Sequence, residues 1–386
     1  MDIYLDNSAT TRSCDEAVAA MVACMRDGYH NPSALYRPAV AAERALEAAR
    51  ETIAMPLGME GCTVTFTSGG TESDNLAIFG ALCAAREPGE VLYTAAEHPA
   101  VKNACIQAAA RYGHTARVIP LDAHGALNLT ALADLLGPRT LLICVMQVCN
   151  ETGVIMPVAK VAQLRDQLAP KAALHMDGVQ GYLRLPFAMK GSGVQSYAVS
   201  AHKVHGPKGV GALVTQRGYH LHPQMAGGGQ ENGLRSGTEN TVGIAGFAAA
   251  VQAYPQGDKA RAALLVLKQE AAQLLQTSIP SMQVLGLQPE DADSAPHILY
   301  AAFPPVRAET LVHALEADGV MVGTGSACSS RKHKRSEVLT AMGVPPQVID
   351  SSIRLSFSIT NTAAEIRFAA ERIAVHYQML ARFTRR

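Results

Sequence analysis

The sequence predicts an α/β fold: a large domain with a mostly parallel, mixed sheet covered by helices, joined to a smaller α+β domain. Three observations carry that prediction. From about residue 60 to 215, short β-branched or apolar runs alternate with Ala/Leu-rich segments of helical period, as in a sheet buried on both faces. The turn Pro255-Gln-Gly-Asp258 then interrupts the pattern. Beyond it, strand and helix signals are sparser and lose the alternation. The division that follows is a large domain over 15–255 and a small domain made of 1–14 and 256–386.

In chain order, Arg37–Ala54 reads as a long helix with Pro38 in its first turn. Strands are expected at Thr63–Thr67, Val91–Thr94, Ala116–Ile119, Leu141–Val145, Ala173–Asp177, Tyr197–Ser200 and Val210–Val214. Helices are expected between several of them, at Glu72–Arg86, Ala100–Arg111, Thr130–Leu136 and Val158–Leu168. The last two strands have no helix between them, so a local antiparallel edge is expected there. The Gly-rich stretch Ala226–Gly237 opens a helix near Thr238–Tyr254. The remainder reads as helix 259–276, strands Met282–Leu285 and His297–Ala301, helix Arg307–Ala317, strand Ser352–Phe357 and helix Thr362–Phe383.

Composition limits the function. The 386 residues allow two or three domains of roughly 150 residues each. Thirty-three basic residues balance 33 acidic ones, so no net field draws the chain to nucleic acid or an anionic membrane. Without Trp and with 5% aromatics, base stacking lacks its platform. A hydrophobic content of 48% excludes disorder as a description of the whole. The eight cysteines form no CxxC pair, which argues against a disulfide scaffold or zinc ribbon. Seven of them read as buried small hydrophobes, and no metal site is expected; His220-Leu-His222 lacks further ligands nearby. No basic n-region opens the chain, and its apolar runs, Leu141–Met146 among them, are too short to span a bilayer. A soluble cytoplasmic protein without direct nucleic-acid or membrane partners is the expectation.

Four segments carry chemistry. Thr67-Ser-Gly-Gly-Thr-Glu-Ser-Asp-Asn75 runs from a strand through a Gly pair into a helix N-terminus, which suits a phosphate and equally an ordinary capped turn. It matches neither the Walker nor the dinucleotide pattern. Ser200-Ala-His-Lys-Val-His-Gly-Pro-Lys-Gly209 places Lys203 at the end of a buried strand. An amine there loses its proton readily and can form a Schiff base, with Ser200 and His202 left for phosphate oxygens; a solvated basic loop is the other reading. Leu174-His-Met-Asp-Gly-Val-Gln180 ends an apolar strand on Asp177, a counter-ion for a pyridinium nitrogen or simply a helix cap. Gly323-Thr-Gly-Ser-Ala-Cys-Ser-Ser330 runs into Arg331-Lys-His-Lys-Arg335. Cys328, among small residues and followed by basic ones, is the candidate nucleophile, on a loop of about 323–335 expected to be mobile. Cys144 and Cys149 flank a strand end with a weaker claim.

Taken in this order, the segments resemble the cysteine desulfurases of the class V, fold-type I pyridoxal 5'-phosphate transferases. The match extends from Tyr4-Leu-Asp-Asn-Ser-Ala-Thr-Thr11 through Arg235-Ser-Gly-Thr238 to Ser352-Ile-Arg-Leu-Ser356. The resemblance implies that Lys203 carries the cofactor, that His98 stacks on its ring, that Asp177 pairs with its nitrogen and that Gln180 meets its ring oxygen. It assigns the phosphate to Gly70, Thr71, Ser200 and His202, with Thr238 reaching the partner subunit's phosphate in a homodimer. Asn31, Asn150 and Arg354 would hold the substrate, L-cysteine. Cys328 would take its sulfur as a persulfide and release alanine, for delivery to a protein acceptor in iron–sulfur, thio-cofactor or thio-tRNA synthesis. A selenocysteine lyase on the same fold, an aminotransferase, and a sulfur-transfer partner with a vestigial cofactor site remain alternatives. The chain departs from the usual pattern at Gly70, at Gly178-Val179, at Cys149, after Ser33, and in the basic run after Ser330. It also stops at Arg386, without the longer C-terminal extension of housekeeping members.

Overall fold

The computed structural model describes residues 2–58, 61–255, 258–324 and 335–383. After β1 (Ile3–Leu5) come α1 (Asp15–Asp27), α2 (Arg37–Ala54), β2 (Cys62–Thr67), α3 (Gly70–Ala84), β3 (Glu90–Thr94), α4 (Pro99–Tyr112) and β4 (Thr115–Ile119). The chain continues with α5 (Leu129–Leu135), β5 (Thr140–Met146), α6 (Val158–Leu168), β6 (Ala173–Asp177), β7 (Ser196–Ser200), β8 (Gly211–Gln216) and α7 (Thr241–Ala253). The remaining elements are α8 (Asp258–Ser278), β9 (Gln283–Val284), β10 (Ile298–Ala302), α9 (Ala308–Ala317), β11 (Val320–Val322), α10 (Glu337–Ala341), α11 (Pro346–Ile349), β12 (Ser352–Ser356) and α12 (Ala363–Ala381).

Seven strands form one sheet in the order β2-β8-β7-β6-β5-β3-β4. All run parallel except β8, which is antiparallel to both β7 and β2. The expected antiparallel pair therefore exists, but not at the edge. The chain returns from β7 without a helix and pairs as a hairpin. β2 then closes over the outer side of β8, in register from Cys62↔Gln216 to Thr67↔Gly211. The apolar runs of β5 and β7 are buried along nearly their whole length, as strands covered on both faces must be.

A second unit has its own core. β12-β10-β9 form an antiparallel sheet and β1 pairs in parallel with β11. Leu264, Leu275, Phe303, Leu311, Ile353 and Ile373 pack into one apolar cluster that also takes in Ile3 and Leu5 from the N-terminus. A capping box of Thr362 and Glu365 starts α12. Among the described residues no helix is long and apolar enough to cross a membrane. The cysteines correct one expectation: Cys105, Cys144 and Cys149 are buried, but Cys14, Cys24, Cys62 and Cys83 are only partly so.

Two of the unusual residues have packing reasons. A Cβ at Gly178 would lie 1.9 Å from the Tyr197 ring, and that ring is fully buried against Phe187 with its hydroxyl on Gln147 Oε1 at 2.6 Å. A Cβ at Gly70 would lie 2.7 Å from Val179 Cγ2, so Val179 packs into the space that a side chain at 70 would take. Gly178→Ala is expected to destabilise the protein by about 1–3 kcal/mol through overpacking. Urea unfolding measures this; an unchanged midpoint would mean that Tyr197 moves aside freely.

Candidate active site

The parallel strands β2, β3, β5, β6 and β7 deliver their C-terminal ends to one rim of the sheet, where ligands of open α/β folds bind. Lys203 follows β7 at the end of a short 3-10 turn, Ala201–Lys203. Its Nζ donates to Ser8 O at 2.6 Å and Ala9 O at 2.8 Å. Residues 8–11 thus lie over the lysine turn, and Thr11 fastens them by donating to His202 O from N (2.8 Å) and Oγ1 (3.0 Å). Burial, then repulsion from Arg354 and Arg184, brings the Lys203 pKa down to about 7, with Asp177 and Asp6 opposing. A substantial fraction of this amine is neutral at neutral pH.

Asp177 ends β6, its Oδ1 accepting from Val179 N at 2.9 Å. His98 caps α4, its Nδ1 accepting from Ala100 N at 3.1 Å. That bond leaves Nε2 as the protonated nitrogen of a neutral ring. Burial keeps His98 below the usual histidine range, helped by Lys203 and opposed by Asp177.

Two further carboxyls lie behind this pair. Glu97 accepts from Thr94 Oγ1 and Met146 N, both at 2.8 Å. Burial and then Asp177 push it up to about 8. Asp74, from α3, meets His175 Nε2 at 3.2 Å, and His175 Nδ1 pairs with Ser196 Oγ at 2.9 Å. Burial raises Asp74 well above the carboxylate range, with Asp177 and Glu97 adding to the rise, and burial lowers His175 to about 4. Burial raises Asp177 too, but His98, the Val179 N–H and Lys203 oppose it. Of the three carboxyls, Asp177 is the one whose rise positive side chains oppose, so it is the best placed to carry negative charge.

An anion cradle lies at the start of α3. Gly69 adopts φ 151°, a conformation that side chains resist. The first bond of the helix is Ser73 N to Gly69 O at 3.1 Å, so the N–H groups of residues 70–72 point out of its positive end. Ser200 Oγ is 3.8 Å from where a Gly69 Cβ would stand. His202, on the same turn as Lys203, shares a hydrogen bond with Thr10 Oγ1 at 3.1 Å. Burial, then Lys203, Lys208 and Arg184, brings it down to about 4, so it meets an anion as a neutral ring. Glu72 joins the cradle to the 235–238 loop, accepting from Ser68 N at 2.7 Å and Arg235 Nε at 2.8 Å.

At the opposite end, Arg354 projects from β12. It is buried, with Nη1 donating to Asn150 O and Nη2 to Asp6 Oδ1, both at 2.7 Å. Gln180 is buried and donates from Nε2 to Ser8 O at 2.9 Å. The structure thus gathers Lys203, Asp177, His98, Gln180, Ser200, His202, Gly70, Thr71, Asn150 and Arg354 around one rim. Asn31 and Thr238 make no hydrogen bond to this group among the described residues. Asn31 sits in an exposed turn, its Oδ1 accepting from Ser33 N at 2.9 Å, and Thr238 is exposed. Cys328 lies outside the described residues.

Sequence reasoning missed Ser8, Asp74, Glu97, His175 and Arg184. A signal existed for three of them. Asp74 stands inside the Gly-pair motif, Glu97 precedes His98, and His175 shares with Asp177 one face of β6 at period two. Arg184 had no local signal, yet it donates to Gln180 Oε1 and to the Lys203 carbonyl.

The arrangement offers an anion site, a near-neutral amine, a buried carboxylate and a fixed guanidinium along one rim of the sheet. The chain matches the class-V aminotransferase family over residues 3–368. It is 38% identical over 365 residues to a cysteine desulfurase of Cereibacter sphaeroides, covering 94% of this chain and 92% of that one. A solved NifS-like protein superposes with a TM-score of 0.89 at 31% identity, covering 98% of this chain and all (100%) of that one. A structure of SspA in complex with cysteine superposes with a TM-score of 0.78 at 27% identity, covering 92% and 98%.

Proposed function

The chain belongs to the class-V aminotransferase family, and from that premise we propose that it is a pyridoxal-phosphate-dependent cysteine desulfurase. It converts L-cysteine to L-alanine and places the sulfur on Cys328 as a persulfide. The observation that carries this reading is a buried lysine of near-neutral pKa between an anion cradle and a buried carboxylate.

The residues fit the cofactor. A phosphate fits the N–H groups of Gly70 and Thr71, the Ser200 hydroxyl and neutral His202, at the helix start where Gly69 carries no side chain. Asp177, whose rise His98 and Lys203 oppose, suits a protonated ring nitrogen, and half-buried His98 suits the ring face. When bound, pyridoxal phosphate supplies an electron sink for charge left at the substrate Cα.

The chain's own residues supply the rest. Lys203, a substantial fraction of it neutral near pH 7, holds the cofactor and then takes the α-proton. Arg354, oriented by Asp6 and the Asn150 carbonyl, binds the substrate carboxylate. The relative solved with cysteine supports L-cysteine as the substrate. Cys328 is supported by its two anchors. On one side Gly323 exchanges backbone hydrogen bonds with Arg354, at 3.0 and 2.7 Å. On the other, Ser336 donates to Glu151 at 2.5 Å. Both anchors lie beside the carboxylate-binding end.

The active form in this reading is a cytoplasmic homodimer. Val18, Val22 and Met25 on α1, with Tyr29, Leu35 and Tyr36, are exposed apolar residues of one stretch, and Thr238 is open to a partner subunit. From Cys328 the sulfur passes to a protein acceptor.

Reconstitution of the cofactor-free protein with pyridoxal phosphate tests the assignment. Lys203 reacts as a free amine, and its pKa is lowered, so the rate should rise as pH increases through about 7. Stopped-flow absorbance reads it. A midpoint at the ordinary lysine value would contradict the assignment, as would an absence of alanine when the reconstituted protein is given L-cysteine and reductant.

A further inference from the structure

His297 precedes β10 in the second unit and is fully buried. It points across to the first unit, its Nε2 lying 3.3 Å from Gln180 Oε1. The same oxygen accepts from Arg184 Nη1 at 3.2 Å. Arginine has only donors, so this contact fixes which end of the carboxamide is oxygen. With the oxygen end fixed, His297 must donate through an Nε2–H, and its Nδ1 is the bare nitrogen. Among the described residues Nδ1 has no hydrogen-bond partner.

The carboxamide is then nearly saturated. Its oxygen has two lone pairs and two donors. Its nitrogen has two N–H groups, one of which goes to Ser8 O, the carbonyl that also accepts from Lys203 Nζ. One N–H remains, on a side chain that cannot turn over without stranding two donors in a buried place.

We infer that His297 is a positioning residue for the cofactor: with Arg184 it locks Gln180 so that the carboxamide meets the cofactor's ring oxygen only as an N–H donor. This rests on the reading that Gln180 faces that oxygen. The strand pairing gives the lock a second consequence. Phe357 N donates to His297 O at 2.9 Å, and β10 is paired with β12, which carries Arg354. The segment that aligns the substrate carboxylate therefore also aligns the donor to the ring. Burial, then Arg184, Lys268 and Arg354, keeps His297 neutral, so its single N–H persists across the working pH range.

The test is the visible spectrum of the pyridoxal-phosphate-loaded protein titrated against pH. An N–H donor favours the ionised ring oxygen; without it the coupled proton is held to higher pH. His297→Leu is expected to raise the spectral midpoint by about half a pH unit. His297→Gln, which keeps an amide N–H where Nε2 stood, should restore the wild-type midpoint, and Gln180→Leu should raise it at least as far as His297→Leu. A shifted Gln180→Leu with an unshifted His297→Leu overturns the lock alone. An unshifted Gln180→Leu overturns the placement of Gln180 on the ring oxygen, and the inference with it. Should His297→Leu fail to fold, nitrogen-15 NMR of histidine-labelled wild-type protein decides. A ring protonated at Nε2 and unchanging with pH supports the lock, and one protonated at Nδ1 overturns it.

Discussion

Lys203→Ala is expected to lower L-cysteine turnover by at least about 10³-fold, because both the covalent hold on the cofactor and the base for the α-proton are lost with one amine. The variant should still bind pyridoxal phosphate, now removable by dialysis. The cradle of Gly70, Thr71, Ser200 and His202 does not depend on Nζ, and neither does Asp177. Folding should be little affected, since among the described residues Nζ hydrogen-bonds to the carbonyls of Ser8 and Ala9, which a water can satisfy. Alanine release and equilibrium dialysis measure the two effects. Turnover at the wild-type rate would remove Lys203 from the chemistry.

Arg354→Lys is expected to raise the KM for L-cysteine by about 10–100-fold, the loss of one or two charge-assisted hydrogen bonds, with a smaller change in kcat. Lysine keeps the charge but cannot serve Asp6, the Asn150 carbonyl and a substrate carboxylate from one planar fork. The methyl ester of L-cysteine separates this from a general disturbance. It should be a poor substrate for the wild type and lose little more in the variant. An unchanged KM for L-cysteine would mean that Arg354 serves only to tie Asp6 to Asn150.

Elements with a strong local pattern were legible in the sequence. Arg37–Ala54, Val158–Leu168 and Ala173–Asp177 appear with the bounds their periodicity indicates. β1 and β11 were not legible, because three residues carry no period and their strand character comes from pairing Ile3–Leu5 with Val320–Val322 across the chain. The helix Asp15–Asp27 was missed too. It is rich in alanine and turns Val18, Val22 and Met25 outward, which blurs the apolar stripe.

The site divides in the same way. Lys203, Asp177 and His98 each end a strand or open a helix, so their roles follow from local sequence. The groups that set their behaviour come from far along the chain: Ser8 is 195 residues from Lys203, His175 is 101 from Asp74, and His297 is 117 from Gln180. Register and the docking of the second unit decide those meetings, and neither leaves a local trace.

Sulfur from L-cysteine is expected to come to rest on this chain at Cys328. The most direct measurement is mass spectrometry of the peptide carrying Cys328 after one turnover with L-cysteine labelled with a heavy sulfur isotope, without reductant, beside quantified alanine. One labelled sulfur on Cys328 and an equal amount of alanine are expected, with neither formed by Cys328→Ala. Alanine formed at the wild-type rate by Cys328→Ala, or labelled sulfur found only on another cysteine, would contradict this expectation.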